Sequence, residues 1–335
     1  HFDNLVQPRT GIALPAKQGH RRIDDRVAVF GLTCHLSIVQ NILTGLFKSR
    51  TVPRSRHPLE KDDRNVLDRS DDLNLVSDDE LDFVAPLAAS LGQASVMPLR
   101  PKDKELLAEA EEFRFGPDES RIAWSLGAGP TVILVHGYSG RGVQMAALAQ
   151  AIAAKGFRAV CFDAGGHGAS RPEKVGFFTF MNDTRDLTDH LGGTIHALVG
   201  HSAGALGMMR ARELFGVKAR KYALICAPLF PYPPLNNMRA AGASEATLAH
   251  VKAILSDQFR MSWSDLAKGA CFAPEADAAL FAAYDRADQT VSYDNAEALA
   301  TLWPNAQIQK TEDYGHNRIL QAPETLAAVP AFLAG

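Results

Sequence analysis

Four short apolar runs constrain this chain more than anything else in it. TVILVH (131–136), FRAVCFD (157–163), TIHALVG (194–200) and KYALICA (221–227) are rich in β-branched and apolar residues, with no regular polar alternation. Helical stretches separate them. GVQMAALAQAIAAKG (142–156), for example, collects its apolar residues on one face and closes at a glycine, a natural helix stop. Strands that are apolar on both faces belong to a parallel sheet covered by helices on either side. The expected class is therefore α/β, with a mostly parallel central sheet.

The third run ends in Gly200-His201-Ser202-Ala203-Gly204, and ALGMMRARELF, a plausible helix, follows it. A G-x-S-x-G sequence between strand and helix is the mark of a tight turn that lifts a serine hydroxyl above the sheet. The residues flanking the serine must be tiny. The helix start beside it favours developing negative charge. Taken by itself, the same pattern also describes a glycine-rich turn with an inert serine.

Two neighbouring strand ends add to the pattern. VHGYSG (135–140) closes the first strand, and acyl chemistry needs two backbone donors at the oxyanion. The N–H groups of Ala203, next to the serine, and Tyr138, beyond the earlier strand, are the candidates. FDAGGHGAS (162–170) closes the next strand with a glycine-rich loop on the same rim, where His167 reads as a structural residue.

HGYSG, DAGGHGAS, GHSAGA and, near the end, DYGHNRIL follow one another in this order over about residues 110–335. With these motifs the chain resembles the α/β-hydrolase superfamily, and within it a serine esterase of carboxylesterase type with a small cap. Ser202 would be the nucleophile. It needs an adjacent base, and that base needs an orienting carboxylate.

His316 is the only histidine in the C-terminal portion, and it lies between QIQKTEDYG, a final strand and loop, and NRILQAPETLAAVPAFLAG, a closing helix. In similar hydrolases the base occupies that loop. His201 and His136 read as structural. For the acid, ALFAAYDRADQTVSY (279–293) offers Asp285 and Asp288. Similar hydrolases carry a valine three residues after the acid, which matches Asp288 and Val291 and leaves Asp285 to hold the turn. The position after the preceding strand, CAPLFPYPPLNN, contains no carboxylate.

The resemblance implies an acyl-enzyme mechanism on carboxylic esters of small to medium size, with no metal and no organic cofactor. Thioester, lactone, amide or carbon–carbon hydrolysis would use the same three residues. A hydrolase-like ligand-binding protein with little turnover is the alternative of another class. Haloalkane and epoxide chemistry is disfavoured, because such members carry an aspartate where Ser202 stands. About fifty residues before the Asp288 strand, with an insertion at about 231–275, form the expected cap over the strand ends. Tyr138, Phe177, Phe230, Tyr232, Met261 and Trp263 are candidate linings of an apolar pocket.

Composition narrows the partners. Of 335 residues, 46% are hydrophobic and 22% charged, and the net charge is −3. This balance gives no general electrostatic reason to bind nucleic acid or an anionic membrane, which leaves a small-molecule ester as the expected partner. The four cysteines, Cys34, Cys161, Cys226 and Cys271, form no C-x-x-C pair and read as reduced, buried thiols. The most apolar stretch, 27–47, is broken by His35, Ser37, Gln40 and Asn41, so a helix of a globular protein is expected there and no membrane span.

Residues 1–96 read as an extension, largely disordered or loosely packed, and 97–335 as the hydrolase domain. Within the extension, 49–83 is dense in charge and poor in apolar residues. Its acidic stretch 70–82 lacks the central glycine of a calcium loop. The first residue is His1 and not methionine, an expected sign of processing or truncation, and no recognisable leader opens the chain. The expected location is cytoplasmic, and oligomeric state is left open.

Overall fold

The computed structural model describes residues 99–335 apart from 172–174, 230–234, 236–238 and 240–243. The extension, its 27–47 and 70–82 stretches, and the boundary at Met97 lie outside the described residues, as do Cys34, Phe230 and Tyr232.

Among the described residues, eight strands form one sheet: β1 (Glu111–Phe115), β2 (Arg121–Leu126), β3 (Thr131–Val135), β4 (Arg158–Asp163), β5 (Ala197–His201), β6 (Lys221–Ile225), β7 (Ala279–Asp285) and β8 (Gln307–Thr311). Their order is β1-β2-β4-β3-β5-β6-β7-β8. All pairings among β3 to β8 are parallel, and β2 runs antiparallel to both β1 and β4. The apolar runs are strands β3 to β6, as their composition requires. The pair β1–β2 is not evident in the sequence, because the edge strand β1 (EEFRF) exposes Glu111, Glu112 and Arg114 and so carries charge among its aromatics.

Period-2 geometry explains why the inner strands read as unbroken apolar runs. Ile133, Val135, Val160, Phe162 and Leu198 pack into one core layer, and their immediate neighbours Val132, Leu134, Cys161, Ala197 and Val199 pack into the other. Helices α1 (Pro101–Leu106), α2 (Ala146–Ala153), α3 (Phe177–His190), α4 (Ala203–Phe215), α5 (Glu245–Phe259), α6 (Trp263–Leu266), α7 (Asp294–Leu302), α8 (Gly315–Arg318) and α9 (Pro323–Ala334) supply the cover. One face is covered by α2 and α9 through Leu148, Ile152, Val329 and Leu333. The other is covered by α3 and α4 through Phe180, Leu187, Met208 and Met209, together with α7.

The closing segment is not one helix. Pro323 disfavours helical backbone at the residue before it, and Ala322 is extended (φ −63°, ψ 131°), so the chain breaks between α8 and α9. Three described cysteines, Cys161, Cys226 and Cys271, are free and buried. No helix among the described residues is long and apolar enough to cross a membrane.

Between β6 and β7, α5 and α6 form the additional helical region. Val251, Leu255 and Phe259 of α5 join the core layer of α3 and α4. Arg210 of α4 fastens its end, with Nε donating to the Phe259 carbonyl (2.7 Å) and Nη2 to that of Arg260 (2.8 Å).

The chain passes from β3 outward to β4, then crosses back to β5 on the other side of β3. Such a reversal leaves a crevice at the carboxyl ends of the two strands. His136 to Tyr138 and Ser202 leave the sheet at this point, since Val135 pairs with Gly200.

Buried polar contacts fix the adjacent loops. Asp183 of α3 accepts from Arg121 Nε (2.8 Å) and from the Gly165 N–H (2.6 Å), tying β2, α3 and the glycine-rich loop after β4. Both side chains of the ion pair are buried. Removing one partner of such a pair strands a charge, at a cost of about 3–5 kcal/mol. Asp183→Ala is expected to lose about this much in urea unfolding; a loss below about 1 kcal/mol would show that the loop does not depend on the pair.

Candidate active site

Ser202 stands between β5 and α4 with φ 52° and ψ −123°, a conformation that side-chain-bearing residues rarely adopt. The two glycines make the turn possible. A Cβ at Gly200 would lie 2.6 Å from the Ala205 Cα, and one at Gly204 would lie 2.2 Å from the His136 carbonyl oxygen. Helix and strand thus approach more closely than any side chain permits, and the serine hydroxyl is carried to the sheet rim.

His316, in the short helix α8 after β8, meets the serine across 114 residues. The Ser202 hydroxyl donates to His316 Nε2 at 3.0 Å, and His316 Nδ1–H donates to Asp288 Oδ2 at 2.7 Å. Three side chains far apart in sequence therefore form one hydrogen-bonded chain. Asp288 Oδ1 accepts the backbone N–H groups of Thr290 (2.7 Å) and Val291 (2.9 Å). Burial by itself would raise this carboxyl, but the hydrogen bond and charge of His316 and these two N–H groups outweigh it and hold Asp288 below the usual carboxylate range.

Asp285 makes no hydrogen bond to the His316 ring. Its carboxylate accepts from the N–H groups of Ala287 (2.9 Å), Tyr314 (3.2 Å) and Gly315 (2.9 Å) and from Thr311 Oγ1 (2.7 Å). It therefore holds the turn, and it also shapes the loop that carries His316. In that loop Asp313 (φ 68°) and Gly315 (φ 67°) both take left-handed backbone.

The other histidines of the rim are structural members. His136 Nδ1–H donates to the Gly137 carbonyl (2.7 Å), and its Nε2 accepts from the Ala164 N–H (3.0 Å). His167 Nδ1–H donates to Gly165 (3.0 Å), and its Nε2 accepts from the Ser139 N–H (3.2 Å). Each ring uses one nitrogen as donor and the other as acceptor, which only the neutral form can do. Burial pushes His136 down to about 4 and His167 to about 3, so both stay neutral near pH 7.

Gly137 borders the serine. A Cβ there would come within 2.9 Å of His201 Nδ1 and 3.1 Å of the Ser202 Cβ, so the turn leading to Tyr138 lies directly against Ser202. Ala203 opens α4, where a backbone N–H has no intrahelical acceptor.

Among the candidate pocket residues, Tyr138 is half-buried edge-on to His167. Phe177 is buried, its ring 4.9 Å from that of Phe259. Met261 and Trp263 are half-buried against the core.

Cys226 is the site residue that motif reading passed over. It follows β6 with φ 47°, in the stretch that contains no carboxylate. Burial, then the charge and hydrogen bonding of Asp288, push its thiol well above the ordinary range. The S–H thus remains protonated beside the acid. Ligand atoms of Cys226, Asp288 and His316 lie within 4.8 Å of one another, the one grouping of potential metal ligands among the described residues. A protonated thiol, and an aspartate and histidine already bonded to each other, suit proton transfer better than ion binding.

Comparison with known proteins agrees with this fold. A family model described as alpha/beta hydrolase fold matches residues 130–271. A Synechocystis sp. protein named as a non-heme chloroperoxidase is 28% identical over 136 residues, covering 40% of this chain and 49% of its own length. The match thus spans about half of that curated relative. Among solved structures, a membrane phospholipase A described as a bacterial virulence factor has a TM-score of 0.54 at 17% identity, over 76% of this chain and 96% of its own. The thioesterase domain of the curacin biosynthetic pathway gives 0.51 at 17% identity, over 67% and 98%. An esterase from Thermogutta terrifontis gives 0.50 at 18%, over 67% and 97%. The fold is the α/β-hydrolase fold. Together with the clustered serine, histidine, aspartate and cysteine, it supports a hydrolase-type enzyme.

Asp285 generates a pH prediction. Burial would raise its carboxyl, but hydrogen bonds from Gly315, Thr311, Ala287 and Tyr314 prevail and hold it below the ordinary value. A group depressed in the folded state stabilises fully above its unfolded value of about 3.9, and that contribution fades as pH falls through the lower native value. Asp285→Asn should therefore lower stability at pH 7, with the difference from wild type shrinking below about pH 4 in thermal unfolding. A difference that is constant across this range would refute the assignment.

Proposed function

We propose that this protein is a serine hydrolase that cleaves carboxylic esters of small to medium size through an acyl-enzyme. The observation that carries the reading is the hydrogen-bonded chain from Ser202 through His316 to Asp288. In this reading His316 Nε2 takes the hydroxyl proton as Ser202 Oγ bonds to the ester carbonyl carbon. Asp288 holds the Nδ1–H tautomer and stabilises the imidazolium. The N–H groups of Tyr138 and Ala203 receive the oxyanion, and losing one such donor typically costs on the order of 100- to 1000-fold in rate.

Collapse breaks the bond to the alcohol, which leaves with the proton from His316. Water, deprotonated by the same nitrogen, then releases the acid and restores the serine. Cys226 places a neutral thiol beside Asp288, where a second carboxylate would compete for the same proton.

A carboxylic ester is the leading substrate class, because the sequence of the loops after the strands contains no basic cluster that would call for a strongly anionic substrate. The additional helical region between β6 and β7 would act as the cap, with Tyr138, Phe177, Met261, Trp263 and the undescribed Phe230 and Tyr232 proposed for the acyl or alcohol pocket. Thioesters, lactones and amides enter the same scheme with a different leaving group.

Fluorophosphonate labelling and hydrolysis of p-nitrophenyl esters of graded acyl length test the proposal. Ser202→Ala should abolish both. Asp288→Asn should lower kcat on the order of 1000- to 10000-fold by presenting the wrong tautomer, with a far smaller effect for Asp285→Asn. If Asp285→Asn proves the more damaging, the acid has been misassigned; labelling that survives Ser202→Ala removes the nucleophile.

A further inference from the structure

We propose that His201 is a positioning residue for the base: its Nε2–H anchors the main-chain carbonyl of His316 and so fixes where that imidazole stands above Ser202. The inference rests on the roles given above to Ser202, His316 and Asp288.

His201 ends β5 and is buried. Its Nε2 lies 2.8 Å from the His316 carbonyl oxygen, a contact across 115 residues, and the two rings lie 4.8 Å apart at 45°. Burial, and next the charge of a protonated His316, push the His201 imidazole down to about 3, so it is neutral in use and carries one N–H. A carbonyl only accepts, which places that hydrogen on Nε2.

The other nitrogen, Nδ1, is buried and finds no hydrogen-bond partner among the described residues. It lies against Gly137. A phenylalanine would fill this space without burying an unpaired nitrogen, so packing does not account for an imidazole here. What the imidazole adds is the single N–H directed at the base loop.

The loop has reason to need it. Asp313 and Gly315 hold left-handed backbone, and α8 is a single turn, too short to be rigid by itself. Asp285 fastens the N–H groups of Tyr314 and Gly315 from one side. The carbonyl of His316 itself is fastened by His201. Because His201 is bonded directly to Ser202, the anchor sets base and nucleophile relative to each other without the intervening sheet.

Three replacements separate this role from packing. The amide nitrogen of His201→Gln reaches the place of Nε2, that of His201→Asn stops short near the place of Nδ1, and His201→Phe keeps the ring without a donor. Fluorophosphonate labelling rate, and kcat and KM on a short-chain p-nitrophenyl ester, are measured for all three alongside thermal unfolding.

Asn and Phe should lower kcat and labelling rate about tenfold or more with KM changed by less than about twofold, and Gln should recover most of the loss. Three variants as fast as wild type overturn the proposal, as does a Gln variant as slow as Asn. If Phe does not fold, the Gln and Asn pair decides by the same criterion; loss of the fold in all three assigns the ring to packing and also overturns it. A wild-type enzyme that is not labelled at Ser202 removes the reading of the site, and this proposal with it.

Discussion

The close approach of the start of α4 to the end of β3 is the constraint on which the rest of the site depends. Gly204 lies so near the His136 carbonyl that a single added carbon would collide with it, and Gly200 is equally confined by Ala205. That proximity lets the chain reverse within one residue and leaves Ser202 in a backbone conformation with an intrinsic cost of order 1–3 kcal/mol. Packing of β3 to β6 between two apolar layers supplies far more than this, so the strain persists. The serine, half-buried, reaches the rim because the glycines on either side are small enough to be fully buried.

Around this turn, polar groups are buried in complementary pairs. The carboxylate of Asp183 meets Arg121 and the Gly165 N–H, that of Asp285 gathers the N–H groups of the His316 loop, and that of Asp288 takes His316 on one oxygen and two N–H groups on the other. His136 and His167 serve as neutral spacers, each bridging one carbonyl and one N–H. Such contacts add modestly to net stability, but each is expensive to break once water is excluded. They are therefore better suited to fixing loop positions than to holding the sheet together. Of the four rim histidines, His316 alone joins a serine hydroxyl to a carboxylate.

Much of this was legible beforehand. Strands β3 to β6 announced themselves because burial on both faces demands apolar residues at every position. Ser202 was legible because so tight a turn admits so few residue types. The choice of Asp288 over Asp285 followed the spacing to Val291, and the hydrogen bonds place Asp288 on His316 Nδ1. The pair β1–β2 escaped because an edge strand need satisfy only one face. Cys226 escaped because a thiol beside a carboxylate leaves no spacing pattern, and the break before α9 because Pro323 was read as part of a continuous helix.

By itself, then, the order of residues determined which segments are strands and which turns must be glycine-lined, since these follow from local sterics and from the periodicity of burial. It also narrowed the reactive groups to a few side chains. Only the tertiary structure decided which contacts form around them: that the Asp285 carboxylate gathers the N–H groups of Tyr314 and Gly315, and that His201 reaches the backbone of His316. Contacts between residues more than a hundred positions apart depend on strand order and loop path, which no local preference encodes.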